Sequence, residues 1–233
     1  MNQIDKFLQE NEIKAVNKNP LLFQHRYRAL VLGKSGTGKS YWVLKNIVLN
    51  KDSPFELVLW VAPQFSLDQD KLKSAKQLLK DKLFLIPDTK ITDIKQIIDS
   101  KTKEQQILIV LDDLINTIDK IVQKFISDLF VSGRHKNIST IEILQQSFTK
   151  NNRQHRLNTN YFVLFDFPDK SEIKRLLQQI EPKNVNKLME VYESGIKENG
   201  GKGCLIISSD VNQMKGGELL KYRVNNLDDA VIL

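Results

Sequence analysis

Apolar runs alternate along the chain with segments whose apolar residues recur every three or four positions. The runs predict strands at about 26–32, 56–62, 83–86, 106–111, 138–144 and 160–166. The periodic segments predict helices at about 39–50, 69–82, 91–100 and 117–131. Continuous apolar strands that alternate with helices are typical of an α/β fold, with a mainly parallel sheet and helices on both faces.

The two ends of the chain carry further patterns. Residues 2–16 have apolar positions at helical spacing, and Pro20 separates them from the first strand, so residues 1–20 are predicted to form a helical extension. After Pro168 the pattern predicts helices at 170–180 and 183–197, a strand at 204–208 and an edge strand within 219–224. We therefore predict a core over residues 21–169 and a small C-terminal α/β extension over residues 170–233, packed on that core.

A glycine-rich turn joins the first predicted strand to the first predicted helix. Its sequence is Gly33-Lys34-Ser35-Gly36-Thr37-Gly38-Lys39-Ser40. It fits the phosphate-binding P-loop pattern GxxxxGK[ST] in the strand–turn–helix context that this motif requires. Glycines let backbone N–H groups approach a phosphate closely, and the helix start adds the positive end of its dipole. ATP is predicted to bind at Gly33, Ser35, Gly36, Thr37, Gly38, Lys39, Ser40 and Tyr41.

Within this loop, Lys39 and Ser40 have the most specific predicted roles. Lys39 would reach the β- and γ-phosphates of ATP, and the hydroxyl of Ser40 would bind Mg²⁺.

A second motif is the apolar run Ile107–Leu111, which ends in Asp112 and Asp113. A buried strand of this kind delivers carboxylates to the sheet edge where a P-loop binds phosphates, so Asp112 is predicted to hold Mg²⁺ and Asp113 to orient the attacking water. The alternative is an ordinary strand that ends in aspartate at a turn. A small-molecule kinase needs no such second acid, and the guanine-specific pattern Asn-Lys-x-Asp of GTPases is absent from the sequence. ATP hydrolysis is the better interpretation.

Composition narrows the class of protein further. The 233 residues suffice for one α/β domain with a substantial core. The longest apolar stretch, Leu57–Ala62, is too short to span a membrane, and the N-terminus lacks a signal-peptide pattern. The single cysteine, Cys204, is predicted to be a buried strand residue, which fits an intracellular protein, and no zinc site is predicted. The net charge of +7 permits a polyanionic partner without demonstrating one.

The segment after the acidic strand carries a further group of candidates. The turn Gly133-Arg134-His135 precedes a strand whose tip holds Gln145 and Gln146. A glutamine at a strand tip beside a P-loop can hydrogen-bond the γ-phosphate or the attacking water. Residues 134–156 carry a net charge of +4, from five basic residues and one acid. Such a rim is compatible with an arginine finger, a DNA-facing loop or solvated surface, and Arg153 and Arg156 are predicted to lie in a loop.

With these motifs in place, the chain resembles a poxvirus-type genome-packaging ATPase of the FtsK–HerA superfamily, as found in large DNA viruses and virophages. The resemblance rests on Gly33–Ser40, Ile107–Asp113, Gly133-Arg134-His135 with Ile138-Ser139, Leu144-Gln145-Gln146-Ser147 and, more weakly, 156–162. The P-loop and the acidic strand are shared with many ATPases. The Gly-Arg-His turn and the Gln-Ser strand tip make the match narrower.

This resemblance implies a RecA-like core, a ring-shaped homo-oligomer (a pentamer or hexamer) and ATP-driven pumping of double-stranded DNA into a capsid. The implied partners are the DNA and a capsid or portal vertex. The implied location is the site of virion assembly in an infected cell, and association with the virion is also compatible. By position, Gln146 matches the sensor glutamine better than Gln145, and Arg134 and Arg156 are both candidates for a finger inserted into a neighbouring subunit.

The chain departs from the family pattern in two ways, and three alternative functions are compatible with its sequence. Asp113 is one methylene shorter than the glutamate common in the wider superfamily, and we expect no separate DNA-gripping domain in a chain of this length, so DNA contacts are predicted to come from loops of the core. A helicase or recombination ATPase on the same core would prefer single strands. A small-molecule kinase would consume ATP only with an acceptor. A third rival is a nucleic-acid-binding protein whose P-loop only stabilises the fold.

Overall fold

The computed structural model describes most of the chain between residues 23 and 232. The described residues are 23, 26–50, 53–100, 105–114, 120–146, 153–198, 203–208, 221–224 and 231–232. The helix predicted for the N-terminal extension lies outside them.

The described strands form one nine-stranded sheet. In chain order they are β1 (Arg28–Leu32), β2 (Leu57–Ala62), β3 (Leu83–Pro87), β4 (Ile107–Asp112), β5 (Ile138–Leu144), β6 (Tyr161–Leu164), β7 (Cys204–Ser208), β8 (Lys221–Val224) and β9 (Val231–Ile232). Their order in the sheet is β3-β2-β4-β5-β1-β6-β7-β8-β9. The first six strands run parallel, and β7, β8 and β9 extend the sheet with antiparallel pairings. The predicted mainly parallel α/β fold is confirmed.

Helices connect most of these strands. They are α1 (Lys39–Val43), α2 (Gln64–Leu67), α3 (Asp70–Leu79), α4 (Asp93–Asp99), α5 (Lys120–Ser132), α6 (Arg153–Leu157), α7 (Lys170–Ile180) and α8 (Val185–Glu198). A π-helical turn, Leu44–Val48, continues α1, and 3₁₀ turns occupy Lys80–Lys82, Asp88–Lys90 and Gly133–Lys136. The segment around Arg156, predicted as a loop, is therefore the short helix α6. None of the described helices is long and apolar enough to cross a bilayer.

The sheet has a hydrophobic core on each face. Strand side chains alternate between the faces, so in β4 Leu108 and Val110 join one core while Ile109 and Leu111 join the other. The first core is completed by α1 and α3, and the second by α4, α5, α7 and α8. Burial on both faces explains why the parallel strands read as continuous apolar runs.

The C-terminal strands continue the same sheet across residue 169. Val163 of β6 pairs antiparallel with Ile206 of β7, and Leu205 and Ile206 are buried in opposite cores. Cys204 is buried in this strand, as predicted, and burial raises the pKa of its thiol. The helix α7 begins at a cap in which the Asp169 carboxylate accepts a hydrogen bond from the Ser171 N–H at 2.8 Å.

Strand order also determines where the polar strand tips meet. The strands β4 and β1 flank β5, with Asp112 opposite Ile143 and Leu32 opposite Leu144. Because these strands are parallel, their carboxyl ends lie at one edge of the sheet. The glycine-rich loop, the paired aspartates and the glutamine pair all follow these ends.

Candidate nucleotide-binding site

A cavity of about 420 Å³ lies at this carboxyl edge. Its lining comes from the glycine-rich loop, from the tips of β4 and β5 and from the segment that follows β2. The lining residues are Ser35, Gly36, Gly38, Lys39, Ser40, Phe65, Ser66, Gln69, Lys71, Leu72, Asp112, Asp113, Ile143 and Gln145. The volume is in the range typical of small-molecule sites. The structure thus brings both predicted motifs to one cavity.

The loop conformation depends on its glycines. Gly36 and Gly38 have φ of +79° and +90°, in the left-handed region that other residues rarely adopt. Gly33 is required for a different reason: a Cβ at this position would lie 2.6 Å from the Cβ of Phe165. The predicted Thr37 is buried and its hydroxyl donates to the Lys34 carbonyl at 2.9 Å, which holds the loop closed.

Three residues predicted to bind ATP do not line the cavity: Gly33, Thr37 and Tyr41. Gly33 and Thr37 shape the loop from within. Tyr41 is 56% exposed on α1. A direct contact between Tyr41 and ATP stays a prediction.

Lys39 is buried at the base of the cavity. Its ammonium donates hydrogen bonds to the carbonyls of Gly33 at 2.6 Å and Lys34 at 2.8 Å. Burial lowers the pKa of Lys39, and the negative charges of Asp112 and Asp113 act in the opposite direction. The two loop carbonyls and the two acids therefore hold a cationic side chain where the P-loop motif requires one.

Asp112 is the last residue of β4 and is only 7% exposed. Burial raises the pKa of its carboxyl, and the neighbouring Asp113 raises it further. A hydrogen bond from the Ser40 hydroxyl and the charges of Lys71 and Lys39 act in the opposite direction. Asp112 is thus an acid whose charge is disfavoured by burial and partly offset by the residues around the cavity.

These oxygen donors fit Mg²⁺. The Ser40 hydroxyl and the Asp112 carboxylate are close enough to hydrogen-bond each other, and Mg²⁺ typically takes one or two carboxylates together with substrate phosphates and water. Within the part of the chain that the structure describes, no group of three or more His, Cys, Asp or Glu side chains is arranged to hold a metal. Ser40 and Asp112 remain the residues proposed for Mg²⁺.

Asp113 adopts a left-handed conformation, with φ of 60°. Its N–H donates to the Ile143 carbonyl at 3.2 Å, and its carboxylate accepts a hydrogen bond from Gln145 Nε2 at 2.9 Å. Aspartate tolerates this conformation better than most residues, and such strain is frequent at functional sites. The strand tips of β4 and β5 are therefore tied together by Asp113 and Gln145 at the cavity wall.

The structure distinguishes between the two candidate glutamines. Both glutamines are exposed, but only Gln145, which follows β5 directly, is among the residues that line the cavity. The family offset had favoured Gln146. Because Leu144 lies opposite Leu32 in the sheet, the first residue after the strand is the one that lies beside the loop. The geometry places Gln145 at the cavity, and the sensor role of either glutamine stays a prediction.

Of the two predicted arginines, only Arg156 has a described side chain, and it is not among the residues that line the cavity. Arg134 belongs to the 3₁₀ turn before β5, at the opposite end of this strand from Gln145, and its side chain lies outside the description. Arg156 lies on α6, where burial lowers the pKa of its guanidinium, as do the charges of Arg175 and Arg153, against the opposing charge of Glu172.

Sequence reasoning missed one wall of the cavity. Phe65, Ser66, Gln69, Lys71 and Leu72 follow β2 and match no phosphate-binding motif. The available signal was topological: a segment that leaves the carboxyl end of a strand beside β4 must start at the edge where the acids lie.

Solved structures with this fold include viral proteins. The genome packaging NTPase B204 from Sulfolobus turreted icosahedral virus 2, in complex with sulfate, is 13% identical, with a TM-score of 0.57 over 81% of this chain and 94% of that one. The same protein in complex with ATP-gammaS is 12% identical, with a TM-score of 0.56 over 84% and 95%. B204 from Sulfolobus turreted icosahedral virus, described as a DNA-packaging ATPase, is 12% identical, with a TM-score of 0.57 over 82% and 96%. These likenesses establish the fold.

Among curated proteins, none matches the chain at a significant level. A family model does match: the one described as Poxvirus A32 protein aligns with residues 14–218, which is most of the chain. The match includes the glycine-rich loop, both aspartates, the Gly-Arg-His turn and the glutamine pair. With the fold and the geometry of the cavity, it confirms the resemblance that the motifs indicated: the chain belongs to the poxvirus A32 protein family.

Proposed function

We propose that this protein is an ATP-hydrolysing motor that moves double-stranded DNA into a viral capsid during genome packaging. The observation that carries the proposal is the convergence of Lys39, Ser40, Asp112, Asp113 and Gln145 on one cavity. Membership of the poxvirus A32 family and the similar fold of a viral packaging NTPase support it. The proposed partners are duplex DNA and the capsid or portal vertex, at the site of virion assembly in the infected cell.

The residues around the cavity divide the work of hydrolysis. Lys39 and the N–H groups of the loop would bind the phosphates of ATP, and Ser40 and Asp112 would hold Mg²⁺, which neutralises phosphate charge when bound. Asp113 would accept a hydrogen bond from the attacking water and orient it towards the γ-phosphorus. Gln145, already bonded to Asp113 at 2.9 Å, would contact the γ-phosphate or that water and so report whether ATP is intact.

A ring of identical subunits would complete the site. No arginine lines the cavity among the residues that the structure describes, so we propose that Arg134 or Arg156 of a neighbour supplies the finger. Such a finger contributes roughly 10³–10⁵ to the rate in related NTPases, so hydrolysis would be slow until subunits assemble. Loss of the γ-phosphate would loosen the interface and shift loops that hold DNA phosphates.

The test is ATP turnover with duplex DNA, single-stranded DNA or no DNA, across a range of protein concentrations. We expect stimulation by duplex DNA, weaker stimulation at higher salt, and a specific activity that rises with protein concentration. Lys39→Ala should abolish turnover. Preference for single strands would favour the helicase alternative. Turnover that ignores every DNA and every protein concentration would contradict the motor and favour a kinase-like enzyme.

A further inference from the structure

The cavity wall opposite the glycine-rich loop is formed by the chain that follows β2. After β2 the chain passes through α2 and enters α3, and Phe65, Ser66, Gln69 and Lys71 line the cavity along this path. None of the sequence motifs described above assigns a function to this wall. It is close to the metal-binding acid, because β2 is the direct neighbour of β4, with Val61 opposite Leu111.

Lys71 is the cationic residue of this wall. It lies in the first turn of α3, is half-buried and lines the cavity together with Lys39. Lys71 and Lys39 are both charged neighbours of the Asp112 carboxylate in this cavity. Two lysines from different elements, one on α1 and one on α3, therefore act on the same acid within one cavity.

The backbone at Lys71 is fixed by packing. Leu72 is 1% exposed and Ala75 is 3% exposed, and both belong to the core that α3 covers. Other lysines on the same helix face elsewhere: Lys73 is exposed and pairs with Asp68 at 3.9 Å, and Lys76 donates to the Lys80 carbonyl at 2.6 Å. Lys71 is thus held at the cavity by an element that has its own hydrophobic anchor.

We propose that Lys71 is a second phosphate-binding cation that acts within its own subunit on the γ-phosphate of ATP, opposite Lys39. The proposal deepens the proposed function and rests on it. In hydrolysis, the water oxygen bonds to the γ-phosphorus while the bond to the ADP oxygen breaks, ADP leaves with the electron pair, and the water proton passes to the Asp113 carboxylate. Lys71 stabilises the negative charge on the γ-phosphoryl oxygens during this transfer.

The experiment compares Lys71→Met with Lys73→Met, which changes the next lysine on the same helix. Methionine keeps the length of the side chain and a good helix propensity while removing the charge. In the absence of DNA, we expect Lys71→Met to lower single-turnover hydrolysis roughly tenfold or more. The Lys71→Met substitution should also weaken the binding of a non-hydrolysable ATP analogue much more than the binding of ADP, since only the analogue carries a γ-phosphate. Lys71→Arg should keep part of the hydrolysis rate and part of the affinity for the ATP analogue. Lys73→Met should match the wild type in both measurements.

Two results would overturn the proposal. One is a folded Lys71→Met protein with wild-type hydrolysis and a wild-type ratio of ATP-analogue to ADP affinity. The other is a variant that loses only the stimulation by DNA, which would make Lys71 a DNA contact. The ratio of ATP-analogue to ADP affinity also separates the role of Lys71 from the motor hypothesis, because this ratio is measured by nucleotide binding alone and requires no DNA. If the wild type binds ATP without any response to DNA, the motor hypothesis fails while Lys71 is still tested.

Discussion

The ionised Asp112 carboxylate lowers the free energy of unfolding of the protein. Because burial raises the pKa of this carboxyl, the ionised form is disfavoured in the folded protein relative to the unfolded chain. The resulting destabilisation is present at pH values above the folded pKa and is lost as the pH falls through it. In the role proposed for it, Asp112 would have to be ionised to hold Mg²⁺ at a site that opposes its ionisation.

We expect Asp112→Asn to raise the melting temperature of the nucleotide-free protein at neutral pH while lowering ATP turnover roughly a hundredfold. Asparagine removes the buried charge but can still accept the hydrogen bond from Ser40. The stability difference from the wild type should shrink as the pH falls below the folded pKa of Asp112. Thermal unfolding across a pH series measures it. A lower melting temperature for the variant at neutral pH would contradict this account.

Gln145 and Gln146 are adjacent but differ in position. Only Gln145 lines the cavity and donates to Asp113. We expect Gln145→Ala to lower kcat roughly tenfold to a hundredfold, since it removes the donor that ties Asp113, the acid proposed to orient the water, to β5. Gln146→Ala is the matched control and should stay within about twofold of the wild type, because Gln146 is exposed and is not among the residues that line the cavity. Steady-state hydrolysis of both variants decides between them, and the opposite ranking would return the sensor role to Gln146.

At the scale of elements, α6 is connected to β5, the strand that precedes Gln145, through a buried polar contact. His155 on α6 bonds through Nδ1 to the Glu142 carboxylate of β5 at 2.8 Å and through Nε2 to the Ser127 hydroxyl of α5 at 3.2 Å. Its ring stacks on Phe130 with a centroid distance of 4.7 Å. One imidazole thus joins two helices and a strand, and α6 also carries Arg156.

We expect His155→Ala to destabilise the protein by about 3 kcal/mol, because it leaves the Glu142 carboxyl buried without its imidazole partner and opens a gap beside Phe130. The midpoint of urea unfolding measures the loss. His135→Ala is the control: His135 is exposed on the turn before β5, and its replacement should change stability by less than about 0.5 kcal/mol. Equal effects of the two substitutions would show that the buried contact contributes nothing.

Elements whose signal is local were predictable from the sequence. The apolar runs of β1, β4 and β5 and the glycine-rich loop required only neighbouring residues, and the structure has them within a few residues of the predicted bounds. The helix α6 was missed because its five residues are too few to show a helical period. Lys71 and the choice of Gln145 depend on which strands are neighbours and in what register, which no single segment encodes.

At the scale of the whole molecule, the candidate catalytic residues do not all lie at the same place. The residues proposed to bind phosphate, to hold the metal and to sense the γ-phosphate share one cavity, whereas Arg156 lies outside it, near Arg175 on α7. A closed ring places one subunit's surface against the next through a head-to-tail interface, so a residue remote from its own site can complete a neighbour's. The arrangement predicts that sites are shared between subunits.

We expect Arg156→Ala, if Arg156 is the finger, to lower turnover by roughly 10³-fold or more, and Lys39→Ala to abolish it. Mixing the two inactive proteins should restore activity, because a site with an intact Lys39 then meets a neighbour with an intact Arg156. With random mixing in equal amounts, roughly a quarter of the interfaces combine both intact residues, which limits the recovered rate. The recovery is measured as ATP turnover of the mixture compared with that of each variant alone. A second series tests Arg134→Ala in the same way, mixed with Lys39→Ala.

The control is Arg153→Ala, which removes an exposed arginine from the same helix and should leave turnover near that of the wild type. Recovery in only one of the two series identifies the finger, because an arginine that acts within its own subunit cannot be supplied by a partner. If both arginine variants are inactive and neither recovers on mixing, no shared site exists. Assembly into a ring would then not be needed to complete the catalytic site. Lys71, from the subunit that binds the ATP, would be the remaining candidate for the positive charge at the γ-phosphate.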